Sequence, residues 1–246
     1  MKHSFLNINR LGEEPYSGIV GFPNGSRAQV KRRIAQMSKL DIQKIAFVGC
    51  TRILNQDILG KGYSGIVLLG RMNDIKVAVK IRRLDSRRRN MNNESKLLQL
   101  VNNVGVGPRF IASSSDILVM EYTSGKRISD WLEDSTNINR HLKKILTDCF
   151  KLDMARVDHG ELSRISRHVI IGRKTTLMDF ESASSNRHPS NVTSATQGLF
   201  IVPRIAKKIK KYRKVPRRDV LIKALRAYKK DMSRVQFNKL LKVLDL

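Results

Sequence analysis

Residues 58–83, "ILGKGYSGIVLLGRMNDIKVAVKIRR", contain one glycine pattern with two possible readings. Gly60, Gly62 and Gly65 are spaced G-x-G-x-x-G. That spacing serves either a turn that lays a pyrophosphate on a helix N-terminus or a lid over nucleotide phosphates. The first device must run straight into a helix. Here two β-rich runs follow instead, Ile66–Leu69 and Ile75–Ile81, around an Asn73-Asp74 turn. That is a hairpin signal and it excludes the pyrophosphate turn. A P-loop is excluded too, since no Gly-Lys-Ser/Thr follows the glycines. The lid reading remains, and it demands a lysine on the next strand. "VAVK" (77–80) supplies it, with Lys80 on the strand face opposite Val77 and Val79.

An ammonium that neutralises phosphates must itself be held by a carboxylate on a helix. Glu94 follows in "NMNNESKLLQLV" (90–101), where Leu97, Leu98 and Val101 form a helical apolar stripe. Taken singly, Lys80 also reads as a strand-end surface lysine and Glu94 as a solvated helix residue. Their order after the glycines and the hairpin is what points to phosphate binding. Downstream, "DILVMEYTSGKRISDWL" (116–132) reads as a strand, Ile117–Tyr122, then a loop and a helix. The spacing in 138–157 predicts a long buried helix leading into "DHGELSRIS" (158–166), and "TTLMDFESAS" (175–184) follows.

These last two pieces, in this order, resemble the small atypical protein kinases of the RIO type and the kinase of the KEOPS tRNA-modification complex. Those families carry a His-(Gly/Ala)-Asp-Leu-(Ser/Thr)-x-x-Asn loop and then a strand ending in Asp. More closely still, the chain resembles archaeal predicted serine/threonine protein kinases whose metal motif reads Asp-Phe-Glu. The likeness spans roughly residues 50–185. It implies an α+β, two-lobed protein-kinase-like fold, with an antiparallel β N-lobe holding one helix and a mainly helical C-lobe. It implies ATP and Mg²⁺ as ligands. Gly60, Gly62 and Gly65 would cover the phosphates, and Lys80 held by Glu94 would bind them. Met120 would stand at the gatekeeper position, with Glu121 to Thr123 (Tyr122 between them) as the hinge against the adenine. Asp179 would carry the metal.

The sequence departs from that pattern twice. Glu161 replaces the catalytic aspartate, still a carboxylate able to accept a hydroxyl proton but one methylene longer. Ser166 replaces the metal-binding asparagine, and His168, two residues on, is the alternative donor, though imidazole suits Mg²⁺ less than oxygen does. His159 fits loop stabilisation better than chemistry. No long activation segment ends in Ala-Pro-Glu; residues 181–200 are short and rich in serine and threonine, and Ser182, Ser184 and Ser185 fit autophosphorylation sites.

The rest of the chain sets the frame. At 246 residues with a hydrophobic fraction of 41%, it is long enough for a sizeable core. The first fifty residues read as a β-α-β extension: a strand at 17–23, a helix capped by Ser26 with Val30, Ile34 and Met37 on one face, and a strand at 44–50. The expected divisions are 1–50, 51–121 and 122–246. Cys50 and Cys149 lie far apart without metal-ligand spacing and read as buried thiols of a reducing compartment, which points to the cytoplasm. No apolar run reaches the ~18 residues of a membrane span, so no membrane partner is expected.

Charge is the strongest global signal: 48 Lys and Arg against 21 Asp and Glu, a formal net charge of +27. "RIAKKIKKYRKVPRR" (204–218) holds nine basic residues and no acid, among them Lys207, Lys208, Lys210, Lys211, Arg213, Lys214, Arg217 and Arg218. Such a cluster suits RNA or a ribonucleoprotein, and equally a solvated surface. Aromatic interleaving is sparse, which favours backbone contact over base stacking. The expected function is thus an ATP-dependent atypical serine/threonine kinase, in autophosphorylation or ATP hydrolysis and linked to RNA. The alternatives are a pseudokinase scaffold for RNA and a small-molecule kinase. The second would need an acidic pocket for a cationic substrate, against the grain of this basic chain.

Overall fold

The computed structural model describes residues 4–133 and 137–246. The protein is α+β, with antiparallel sheets, and divides into two compact units. The first comprises residues up to Gln99 together with Arg109–Tyr122. The second comprises Leu100–Pro108 and the described residues of Thr123–Leu246.

The first unit opens with β1 (Leu6–Asn7), a 3-10 turn (Ile8–Gly12), α1 (Tyr16–Val20) and α2 (Arg27–Lys39). It continues through β2 (Lys44–Ala46), β3 (Thr51–Ile53), β4 (Gln56–Ile58), β5 (Gly60–Lys61), β6 (Gly65–Met72) and β7 (Ile75–Arg82). α3 (Asn92–Asn102), β8 (Phe110–Ser113) and β9 (Ile117–Glu121) complete it, the last residues of α3 passing into the second unit. The main sheet runs β1-β2-β6-β7-β9-β8, with β5 also paired to β6.

The expected hairpin is present. β6 and β7 pair from Gly65↔Arg82 to Met72↔Ile75, and Asn73 and Asp74 close the turn at φ +45° and +63°. Positive φ at both central residues is the mark of a type I′ turn, which Asn and Asp tolerate better than other side chains. A second two-residue hairpin, β3-β4 around Leu54-Asn55, has the same signature but no glycine to announce it.

The extension differs from expectation. Residues 17–20 lie in helix α1, not in a strand, and bury Ile19 and Val20. A four- to eight-residue apolar run does not by itself distinguish strand from buried helix. The strand expected at 44–50 is confined to Lys44–Ala46, and it hydrogen-bonds along β6, so the extension is part of the same sheet. α2 does start at Ser26 with a full capping box, the Ser26 hydroxyl accepting from Gln29 N and the Gln29 side chain from Ser26 N.

Val30 and Met37 of α2 join Ile66, Leu68, Val77, Val79, Ile81, Ile117 and Val119 in one core. Each such side chain contributes about 1.5–3 kcal/mol on burial. Arg33, on the same helix, is also fully buried. Its guanidinium donates to the carbonyls of Val20 (2.6 Å) and Arg82 (2.5 Å) and stands 3.8 Å from Asp116. Asp116 itself accepts from Arg82 (2.8 Å), Gln36 (3.1 Å) and Arg32 (3.3 Å). Burial alone would raise its pKa. The hydrogen bonds and the arginine charges win, and the carboxyl titrates below its usual range. This polar knot fastens α2 to the start of β9.

The second unit contains β10 (Lys126–Arg127), α4 (Ile128–Trp131), α5 (Ile138–Met154), a 3-10 turn (Leu162–Arg164) and α6 (Ile165–His168). It ends with β11 (Val169–Ile171), β12 (Thr175–Leu177), α7 (Asn191–Phe200), α8 (Pro203–Lys210), α9 (Arg218–Lys230) and α10 (Arg234–Val243). β10, β11 and β12 form a small antiparallel sheet. The helix expected at 138–157 is α5, with Leu142, Ile145, Leu146, Cys149 and Phe150 buried. Phe150 stacks on Phe237 of α10 at 4.4 Å and meets Tyr228 of α9 edge-on, so the C-terminal stripes close this core. Cys149 is buried as expected, whereas Cys50 is exposed, because the chain around it leaves the sheet. No helix among the described residues is long and apolar enough to cross a membrane.

Candidate functional site

The expected residues fall in two places, one in each unit. In the first, Lys80 and Glu94 meet: Nζ lies 2.6 Å from Oε1, and both residues are buried, at 3% and 4% exposure. The strand period turns Lys80 away from Val77 and Val79, and the first turn of α3 presents Glu94. A buried ion pair is weak as a stability device, because desolvation offsets much of the attraction. Its occurrence here, after a glycine hairpin, calls for a reason other than stability.

The glycines are the hairpin's means of approach. Gly60 and Lys61 pair with Val67 and Ile66, and Gly62 N donates to the Gly65 carbonyl (2.8 Å), which extends the β5-β6 pairing up to the bend at Tyr63-Ser64. A Cβ on Gly65 would stand 3.0 Å from Cγ and Cε of Lys80 and 2.9 Å from the Ile81 carbonyl. Gly65 therefore makes room for the lysine stem. The tip is tied down, since Arg83 donates to the Gly62 carbonyl (3.3 Å) and Phe22 stacks under Lys61 and Arg83. Met120 lies on β9 opposite Ala78 and is nearly buried. Glu121 N donates to the Arg109 carbonyl (2.8 Å), so this amide of the expected hinge is used within the first unit. The first unit ends at Tyr122.

In the second unit, the 158–168 loop and the 178–184 segment are laced together. Asp158 and Ser184 exchange backbone hydrogen bonds, and Met178 N donates to the His168 carbonyl (2.8 Å). His159 Nε2–H donates to the Met178 carbonyl (3.1 Å), and its ring packs on His168 and Phe180. His159 is fully buried, and its Nδ1 has no hydrogen-bond partner among the described residues. Burial, then the neighbouring His168, push its pKa down to about 4. It is a neutral scaffold residue.

Glu161 stands between two partners. Ser182 Oγ donates to Oε1 (2.5 Å), and His168 Nε2 faces Oε2 at 3.2 Å. Its side chain is one-third exposed while His168 is buried. Gly160 before it has φ +87°, and a Cβ there would lie 2.7 Å from the Ser182 carbonyl. Glycine is thus needed for Glu161 to approach Ser182. Ser166 sits half-buried on α6.

Asp179 adopts φ +67°, the left-handed region, uncommon for a side-chain-bearing residue and typical of strained functional loops. A carboxylate oxygen of Asp179 lies within 4.8 Å of one on Glu181, and Glu181 is buried. Paired hard oxygen donors suit Mg²⁺. Glu181 was not among the expected ligands, although the third letter of Asp-Phe-Glu carried it.

Two further residues escaped the sequence. Asn191, in a stretch read as loop, caps nothing by its side chain but accepts from His159 N (2.8 Å) and donates to Asp153 (2.8 Å) and the Val157 carbonyl (2.7 Å). Asp153 also accepts from Asn191 N, Val192 N and Tyr228 OH. Burial nonetheless keeps the Asp153 carboxyl above its usual range. These side chains hold the 158–161 loop from behind.

No protein-family profile matches the chain. It is similar to the uncharacterized protein MJ1211 of Methanocaldococcus jannaschii, 29% identical over 93 residues, covering 37% of this chain and 80% of that protein.

Proposed function

We propose that the protein is an ATP-dependent phosphotransferase of the atypical serine/threonine protein kinase kind, its two units being the two lobes of such a fold. The observation that carries this reading is the buried Lys80–Glu94 pair beside Gly65, because opposite charges withdrawn from water behind a glycine hairpin match what phosphate binding requires. The hairpin covers the phosphates, and Lys80, oriented by Glu94, neutralises them. The backbone after Met120 meets the adenine. Glu161 accepts the proton of the acceptor hydroxyl. That oxygen bonds to the γ-phosphorus, the bridging P–O bond breaks, and ADP leaves with the electron pair. Asp179 and Glu181 would hold Mg²⁺, which neutralises charge on the phosphates when bound.

One observation favours a second reading, a pseudokinase that binds nucleotide without turning it over. Glu161 already accepts from Ser182, and Ser166 stands where an amide ligand is expected. Phosphate release and autophosphorylation, measured with Mg-ATP, separate the two. The enzyme reading expects activity that Asp179→Ala abolishes and Glu161→Gln lowers by about 10²–10⁴-fold. Wild-type activity no greater than that of the variants, with ATP still raising the melting temperature, selects the pseudokinase.

A further inference from the structure

The basic stretch 204–218 is not uniformly available. Lys208 Nζ donates to the Ser129 carbonyl (2.8 Å) and pairs with Glu133 (2.7 Å). Arg213 donates to Asn139 Oδ1 (2.6 Å) and to the carbonyls of Leu244 and Asp245. Tyr212 OH donates to the Glu133 carbonyl (2.9 Å), and Arg217 is paired with Asp219. These contacts pin the segment to its own unit. Arg204, Lys207, Lys210, Lys211, Lys214 and Arg218 are exposed and carry no salt bridge among the described residues. Arg204 and Lys207 of α8 and Lys211, which caps its C-terminus in helical conformation, follow at i, i+3 and i+7, on the side opposite the buried Ile205 and Ile209. They span about 10 Å along the axis.

We propose that this outer face of α8, continued through 211–218, docks the phosphodiester backbone of a folded nucleic acid. Six unpaired cations held on an anchored scaffold complement a polymer with regularly spaced charges, and the formal net charge of +27 draws it in. Insertion of α8 into a membrane is excluded, because its apolar side is used up in the core. Single-stranded stacking is disfavoured, because Tyr212, the aromatic in the segment, is tied by its hydroxyl. The surface is independent of phosphoryl transfer and stands or falls separately from it.

The test is binding of the full-length protein to a fluorescent RNA hairpin and a DNA duplex of equal length, titrated with salt. The test variant changes Lys207, Lys210, Lys211, Lys214 and Arg218 to Gln. A control changes the exposed Arg27, Lys31, Lys39, Lys44 and Lys76 to Gln, leaving the net charge equal. The test variant is expected to bind at least about ten-fold more weakly, with a log-log salt slope shallower by roughly three, while the control stays near wild type. Equal loss in both variants, no loss in the test variant, or competition by polyglutamate as effective as by RNA overturns the proposal. Which duplex binds more tightly identifies the nucleic acid. Circular dichroism and melting temperature confirm that both variants are folded.

Discussion

Lys80–Glu94 and the Glu161 loop hold a carboxyl group by opposite means, the first buried and the second one-third exposed. In the first unit a cation and an anion on two regular elements neutralise one another. In the second, the Glu161 carboxyl accepts from the Ser182 hydroxyl, with the His168 imidazole 3.2 Å away but not hydrogen-bonded to it. The first arrangement is costly to break from one side, because removing one member of a buried ion pair costs about 3–5 kcal/mol. The second is held by a single hydrogen bond of roughly 1 kcal/mol and can rearrange. On the proposed reading, a fixed charge suits a group that binds phosphate in one place, and a loosely held carboxyl suits a group that takes up and releases a proton.

The largest expected effect follows from that contrast. Lys80→Met should lower stability by about 3–5 kcal/mol and abolish ATP turnover together. The double variant Lys80→Met/Glu94→Met should regain most of the stability and none of the turnover. Thermal denaturation with an ATPase assay on Lys80→Met, Glu94→Met and the double variant closes the cycle. A double variant no more stable than the single one would show that the pair is not an isolated buried couple.

The contrast also explains what could be read in advance. Lys80, Glu94 and α5 were legible because strand and helix periods place side chains from sequence spacing alone. The Asn73-Asp74 hairpin was legible from its turn chemistry. α1 was not, since Ile19 and Val20 sit in an apolar run too short to carry a period. Arg33 and Asp116 were invisible for another reason: a buried charge breaks the apolar pattern, and only partners up to 84 residues away explain it. The clamp on Glu161 depends on a serine 21 residues distant, and Asn191 on an aspartate 38 residues distant. Position along an element is a local property; hydrogen bonding between loops is not.

A mid-sized effect tests the scaffold behind the loop. An unfolded histidine takes up its proton near pH 6.5, whereas His159 does so only near pH 4. Between those values the unfolded chain binds the extra proton, so His159 makes stability fall as pH drops from about 6.5 to 4. The full window is worth roughly 3 kcal/mol at about 1.4 kcal/mol per unit. Chemical denaturation at a series of pH values should show this slope in the wild type and a flatter one in His159→Gln. Parallel slopes would mean that His159 does not stay neutral.

The smallest effect is the most informative about Glu161. Ser182→Ala removes the donor on Oε1 of a one-third exposed carboxyl, so stability should change by about 1 kcal/mol or less. If the Ser182 hydroxyl positions a working base, turnover should fall by several-fold when that hydrogen bond is lost. Ser182→Thr, which keeps the hydroxyl, should restore the wild-type rate. Full wild-type activity in Ser182→Ala would mean that this hydroxyl does not position the group that takes the proton.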